Sequence, residues 1–131
     1  MANSETEIAP PEKSRSTRDI EARTFEFAKR VLKLVDALPA GRISDVIARQ
    51  LGRSGTSVGA NVEEAQGSHS KAEFVRRMNI ARSEARESLY WLRLLAECGK
   101  VRPARLDLLI DESDQLLRIL TTIVKRSRNV K

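Results

Sequence analysis

The chain has 131 residues, of which 32% are charged and 4% aromatic, and 24 Lys and Arg against 18 Asp and Glu give a formal charge of +6. That length suits one domain with a real core, and the composition points to helices rather than a sandwich or barrel. One cysteine excludes an internal disulfide, and no apolar run approaches the roughly 20 residues of a membrane span. The N-terminal stretch has no apolar signal core, so the expectation is a soluble protein of the reducing cytoplasm.

Residues 1–18 are polar, mixed in charge and interrupted by Pro10-Pro11, and read as a flexible tail. Four helical segments follow over residues 19–126, ahead of a basic C-terminal tail at 127–131. The first runs from about Asp19 to Leu38, with Phe25, Ala28, Leu32, Val35 and Leu38 as its core face, and stops at Pro39-Ala40-Gly41. Ser44 is the expected N-cap of the second, whose core positions are Ile47, Leu51, Ser54, Val58, Val62 and Ala65 and which ends near Gly67. Ser70 caps the third, with Glu73 three residues on as its capping-box partner. Phe74, Met78, Ala81, Ala85, Ser88, Leu92 and Leu95 then alternate steps of four and three up to a stop at Gly99. Pro103 suits the first turn of the fourth helix, which presents Leu106, Leu109, Ser113, Leu116, Leu120 and Ile123. Short connections between such helices imply an all-α, antiparallel, up-down-up-down four-helix bundle.

The second helix is unusual in its middle. Gly52, Gly55 and Gly59 each cost about 1 kcal/mol against Ala in a helix interior. A helix carrying that burden needs small residues so that another backbone can come close. Gly55, Ser57, Gly59 and Asn61 are therefore read as packing residues, with Asn61 fixing register or binding a neighbouring helix from the edge of the core stripe.

Helix three also places Trp91, Leu94 and Cys98 away from the centre of its core stripe, and helix four has Ile110, Leu117 and Val124 at seven-residue spacing. Either the core face is broad and covered by helix one, or Trp91, Leu94 and Leu117 belong to a second apolar surface for self-association. Arg82, Arg86 and Arg93 line one flank of helix three, and Glu73, Glu84 and Glu87 lie on or near the other. Unlike flanks can pair head to tail between copies and close into a ring. Solvated faces with local pairs such as Glu73 with Arg77 are the other reading.

Catalytic and metal chemistry find little support. A di-iron bundle needs two Glu-x-x-His motifs, and the one histidine, His69, has no such Glu before it. A zinc site with several His or Cys ligands is excluded with it. The glycines of helix two lack the Gly-Lys-Ser/Thr sequence of a phosphate loop. Cys98 reads as structural, and Glu63 and Glu64 diverge by about 100° around their helix. No catalytic, cofactor or metal residue is assigned. Candidates for nucleic acid are Arg76, Arg77, Arg82, Arg86, Arg93, Lys125, Arg126, Arg128 and Lys131. Tyr90 and Trp91 are the only aromatics available for stacking and are expected to be buried, so any binding should be electrostatic and weakly selective.

The block Arg53-Ser54-Gly55-Thr56-Ser57-Val58-Gly59-Ala60-Asn61-Val62-Glu63-Glu64-Ala65 resembles the signature of the 23S rRNA-intervening-sequence protein family, through Arg53, Ser57, Val58, Ala60, Asn61, Val62 and Glu64. Ser70-Lys71-Ala72-Glu73-Phe74 and Glu87-Ser88-Leu89-Tyr90-Trp91-Leu92 are similar to it as well, so the likeness covers about residues 42–99. Many relatives have Glu-Gly where this chain has Glu64-Ala65. The resemblance implies an antiparallel bundle assembling as a homopentameric ring. A related branch, the accessory variability determinants of diversity-generating retroelements, forms a basic pentamer that binds nucleic acid and a reverse transcriptase. No catalytic residues carry over. The functional expectation is a non-enzymatic homo-oligomeric adaptor able to bind RNA or DNA. The alternative is a protein-binding scaffold whose positive charge serves solubility alone.

Overall fold

A computed structural model describes residues 15–98, 101 and 103–129. Four helices make up the described chain: α1 (Arg15–Ala37), α2 (Arg42–Gln66), α3 (Lys71–Cys98) and α4 (Pro103–Asn129). No strand occurs among the described residues. α2 packs on α3, α3 on α4, and α1 on both α2 and α4, which makes a bundle around one core. Residues 1–14, Gly99 and Lys131 lie outside the described residues, and with them most of the expected N-terminal tail and the stop after α3. α1 begins at Arg15, four residues ahead of the expected start, and α4 runs on through residues 127–129 of the expected basic tail.

Helix ends follow local chemistry. α1 stops just before Leu38 and Pro39, where the proline disfavours helical geometry in the residue ahead of it. Ser44 does not cap α2. The cap is Gly41, in extended backbone, whose carbonyl accepts the Asp45 N–H at 2.8 Å, while Ser44 is buried in the first turn. The helix starts earlier because Asp45 in its first turn complements the positive end of the dipole without a side-chain cap. At α3 the Ser70 hydroxyl accepts the Glu73 N–H at 3.1 Å. The Glu73 carboxylate turns forward to Arg76 and Arg77 instead of closing the box.

The core stripes of α2, α3 and α4 fall on the expected residues, with two exceptions. Phe74 is only half-buried, and Val124 rather than Ile123 is the innermost residue at the end of α4. α1 differs more. Its buried face is Ile20, Thr24, Phe27, Val31 and Leu34, whereas the expected core residues Phe25 and Leu32 are 68% and 51% exposed. Both stripes step by three and four, roughly 80° apart around the helix, so periodicity alone does not choose between them. Contact with α2 chooses. A Cβ at Gly55 would stand 2.8 Å from Val31 Cγ1, and one at Gly59 would stand 3.2 Å from the Thr24 carbonyl oxygen. The two glycines thus receive the Thr24 and Val31 edge of α1 at distances that a Cβ at either position would force apart. Gly52 has nothing within 4 Å of its Cβ direction, so the packing role does not extend to it.

Small polar residues at these close seams satisfy one another. Ser54 of α2 and Ser88 of α3, both fully buried, share a hydrogen bond at 2.9 Å, and the Ser113 hydroxyl of α4 donates to the Ala85 carbonyl at 3.3 Å. Thr24 donates back to the Ile20 carbonyl at 2.7 Å, which lets its hydroxyl be buried where α1 meets Gly59.

The glycine contacts predict opposite effects along one helix. Gly59→Leu should lower bundle stability by about 1–3 kcal/mol through overpacking against the α1 backbone. Gly52→Ala, which meets open space, should raise it by about 1 kcal/mol through helix propensity. Thermal melts of the two variants check both signs.

Candidate nucleic-acid interface

The arginines divide into those held by the fold and those left to solvent. Arg23 of α1 grips Glu112 of α4 through two hydrogen bonds, at 3.0 and 2.7 Å, and also reaches Gln115. Arg53 of α2 pairs with both Glu84 and Glu87 of α3. Arg76 and Arg77 share the Glu73 carboxylate at 3.2 and 3.3 Å. Arg77 also donates to Asn61 Oδ1 at 3.3 Å, while the Asn61 amide donates to the Ser57 carbonyl and hydroxyl at 2.9 and 3.1 Å. Asn61 therefore bridges α2 to α3, and Arg77 is part of that seam. Arg82 is half-buried and donates to Asn79 Oδ1 at 2.9 Å. Arg86 and Arg93 are exposed and form no ion pair among the described residues, as do Lys125, Arg126 and Arg128 at the end of α4.

The candidate cations left free thus form two groups, Arg86 with Arg93 on the outer face of α3 and Lys125 with Arg126 and Arg128 near the end of α4, while Lys33, Arg42 and Lys71 are exposed without ion pairs elsewhere among the described residues. The second group also sits at the negative end of the α4 dipole, which by itself favours cations there.

Between Arg86 and Arg93 lies Tyr90. It is 56% exposed, contrary to the expectation of burial, because its position on α3 points away from α2 and α4, the two helices on which α3 packs. Trp91 is half-buried, as are Leu94 and Leu117, and all three pack against the core. The two aromatic rings meet edge to face with centroids 5.0 Å apart. The Trp91 indole N–H donates to Glu87 at 2.9 Å, and Glu87 is in turn paired with Arg53. The Trp91 hydrogen bond and then Arg53 hold the Glu87 carboxyl below the ordinary Glu value of 4.5, and Glu87 and Glu84 hold the Arg53 guanidinium above its usual value. This Arg53–Glu87–Trp91 chain was not anticipated. Its one trace in the sequence is the four-residue step from Glu87 to Trp91, which sets both on one helix face.

Two apolar surfaces remain open. Trp91, Leu94 and Cys98 line a groove with Ile43 and Val46 from the start of α2. A second groove, of about 560 Å³, runs between α1 and α2 beside Phe25, Ala28, Thr56, Gly59, Ala60 and Glu63. His69 is exposed in the α2–α3 connection and Cys98 is half-buried as a free thiol. Among the described residues no cluster of three His, Cys, Asp or Glu side chains could hold a metal ion, and no helix is long and apolar enough to cross a membrane.

These features define an all-helical bundle with a Ser-Val-Gly-Ala-Asn run packed inside its second helix. The chain belongs to the family of 23S rRNA-intervening sequence proteins, whose match spans residues 17–122. It is similar, with a TM-score of 0.78 and 33% identity over 84% of this chain and 98% of the other, to a crystal structure at 1.70 Å from Bacteroides thetaiotaomicron VPI-5482. That structure is of a protein with unknown function from the S23 ribosomal protein family. No curated protein matches the chain.

The lowered Glu87 and Glu73 carboxyls make stability depend on acid. A carboxyl whose pKa falls on folding contributes stability that is complete above the unfolded value and is lost as pH drops through the folded one. The melting temperature should therefore hold steady above about pH 5 and fall below it. Glu87→Gln should show a shallower fall in a pH series of thermal melts.

Proposed function

We propose that this protein is a non-enzymatic, homo-oligomeric helical-bundle adaptor that forms a pentameric ring in the cytoplasm and holds RNA or DNA electrostatically. The observation that carries this reading is the partition of the arginines. Arg23, Arg53, Arg76, Arg77 and Arg118 are engaged by carboxylates, while Arg86, Arg93, Lys125, Arg126 and Arg128 stand exposed without ion pairs among the described residues. Clustered, unpaired cations are what phosphate neutralisation requires, and a ring multiplies the +6 of each chain. A non-enzymatic role is supported by where reactive groups sit, since His69 is in an exposed connection and Glu73, Glu84 and Glu87 are all tied to arginines.

An antiparallel course is supported by cross-helix partners whose numbers run in opposite senses: Thr24 with Gly59 and Val31 with Gly55, then Arg53 with Glu87 and Asn61 with Arg77. Ring closure is supported by two unlike apolar surfaces, one around Phe25 and Leu32 and one around Ile43, Val46, Trp91 and Leu94. Unlike surfaces associate head to tail, and head-to-tail contacts close into rings when the rotation between successive copies returns to the first. The self-association surface thus includes Phe25 and Leu32, with Leu117 only at its margin. The Ile43 and Trp91 groove is also the feature that favours the second reading, a scaffold for a protein partner with no nucleic-acid role.

Light scattering at micromolar concentration should give a mass near five chains, and Phe25→Ser with Leu32→Ser should reduce it without loss of helical circular dichroism. A monomeric wild-type protein would remove the ring. Retention on RNA or DNA should be present at low salt and fall steeply as salt rises. Arg126→Glu with Arg128→Glu should flatten the logarithmic salt slope by roughly 1.8 on duplex if both contact phosphate. Absence of retention at low salt would leave the protein-scaffold reading.

A further inference from the structure

The outer face of α3 has a composition that electrostatics alone does not account for. Arg86, Tyr90 and Arg93 follow one another at steps of four and three, which sets them side by side on a single helix face. Both arginines are exposed and free of ion pairs among the described residues, and the tyrosine between them is the most exposed aromatic of α3. Its ring is also braced. Trp91 stands edge-on against it at 5.0 Å, and Trp91 is itself anchored through Glu87 to Arg53 of α2. An exposed ring with an anchored neighbour loses little freedom when something stacks on it.

Resting on the nucleic-acid reading above, we infer that Tyr90 is a stacking platform for one unpaired base, with Arg86 and Arg93 holding the phosphates on either side, so that this face selects single-stranded over double-stranded nucleic acid. The two arginines lie about 10 Å apart along the helix axis, which lets a backbone run past one stacked base. A base offers its π-face only when it is out of a duplex, so the stacking contribution is confined to single strands. Glu97, one turn beyond Arg93 and lining the same shallow groove with Tyr90, Leu94 and Ile110, bounds the site at its C-terminal side. Phosphate is repelled there, which limits the platform to a single base. Stacking and phosphate contacts read no base edge, so discrimination between base types is weak.

The test uses the full chain, a fluorescein-labelled 20-nucleotide oligo(dT) or oligo(U), and a labelled 20-base-pair duplex, followed by anisotropy at low salt. Tyr90→Leu should weaken single-strand binding on the order of tenfold and leave duplex binding within about twofold, while Tyr90→Phe keeps wild-type affinity. Trp91 is the sole tryptophan, so its emission reads the site directly and should be quenched by the single strand in the wild type but not in Tyr90→Leu. Arg86→Ala with Arg93→Ala should reduce the single-strand salt slope by roughly 1.4. Unchanged single-strand affinity in Tyr90→Leu, or equal losses on both substrates, overturns the platform. If the arginine variant still weakens binding in that case, the electrostatic reading survives without it. Failure of the wild type to bind either substrate removes both readings. Melting temperature and light-scattering mass of each variant confirm that the fold and assembly are intact.

Discussion

The arrangement of this bundle depends on how closely α1 can approach α2. Gly55 and Gly59 leave no Cβ on the α2 face that meets α1, and Val31 and Thr24 occupy that space, one with a stiff branched side chain and the other with its backbone. The approach fixes the rotation of α1 about its own axis. Once Thr24 and Val31 are inward, Ile20, Phe27 and Leu34 enter the core with them, and Phe25 and Leu32 must face solvent. A helix with a bulkier neighbour could have turned its other stripe inward and left no apolar ridge outside. The surface through which copies would associate is thus a consequence of two missing methyl groups on another helix.

The α2–α3 seam is held differently. Its centre is dry and small, with Ser54 and Ser88 satisfying each other, and its edges are polar, with Arg53 spanning Glu84 and Glu87 at one place and Asn61 meeting Arg77 at another. The outer ion pairs are solvent-exposed and contribute little free energy singly. Their effect is on register: a slip of α3 by one turn would separate every one of these partners together and would break the buried bond between Ser54 and Ser88. The same seam settles the electrostatics of the surface. By drawing Glu73, Glu84 and Glu87 to the α2 side, it leaves the opposite flank of α3 to Arg86 and Arg93.

Trp91 links that seam to the outside. Its indole N–H is fixed by a carboxylate that the seam already holds, and its ring supports Tyr90, which has no other reason to be ordered on an exposed helix face. Family membership over residues 17–122 and the likeness to the Bacteroides structure place the fold beyond the reach of a chance helical pattern. Neither bears on the role proposed for the outer face of α3, which rests on the residues themselves.

Much of the fold was legible along the chain. Four helices, the Ser70 cap, the Gly67 end of α2 and the inward faces of α2, α3 and α4 follow from steps of three and four and from capping chemistry, because each depends on residues within one or two turns. The family resemblance was legible too, since Ser57-Val58-Gly59-Ala60-Asn61 inside a helix is costly by propensity and needs a packing reason. What only the tertiary structure decided was the choice between equivalent local patterns. α1 carries two apolar stripes of equal periodicity, and glycines some thirty residues away determine which is buried. The pairing of Arg76 and Arg77 with Glu73 is local, at three- and four-residue spacing, whereas only the facing of α3 leaves Arg86 and Arg93 in solvent. Tyr90 and Trp91 are adjacent, yet a rotation of about 100° per residue sends one toward α2 and the other into solvent. Sequence periodicity fixes angles around a helix axis, but the direction of the axis and the distance to its neighbours set which angle is inside.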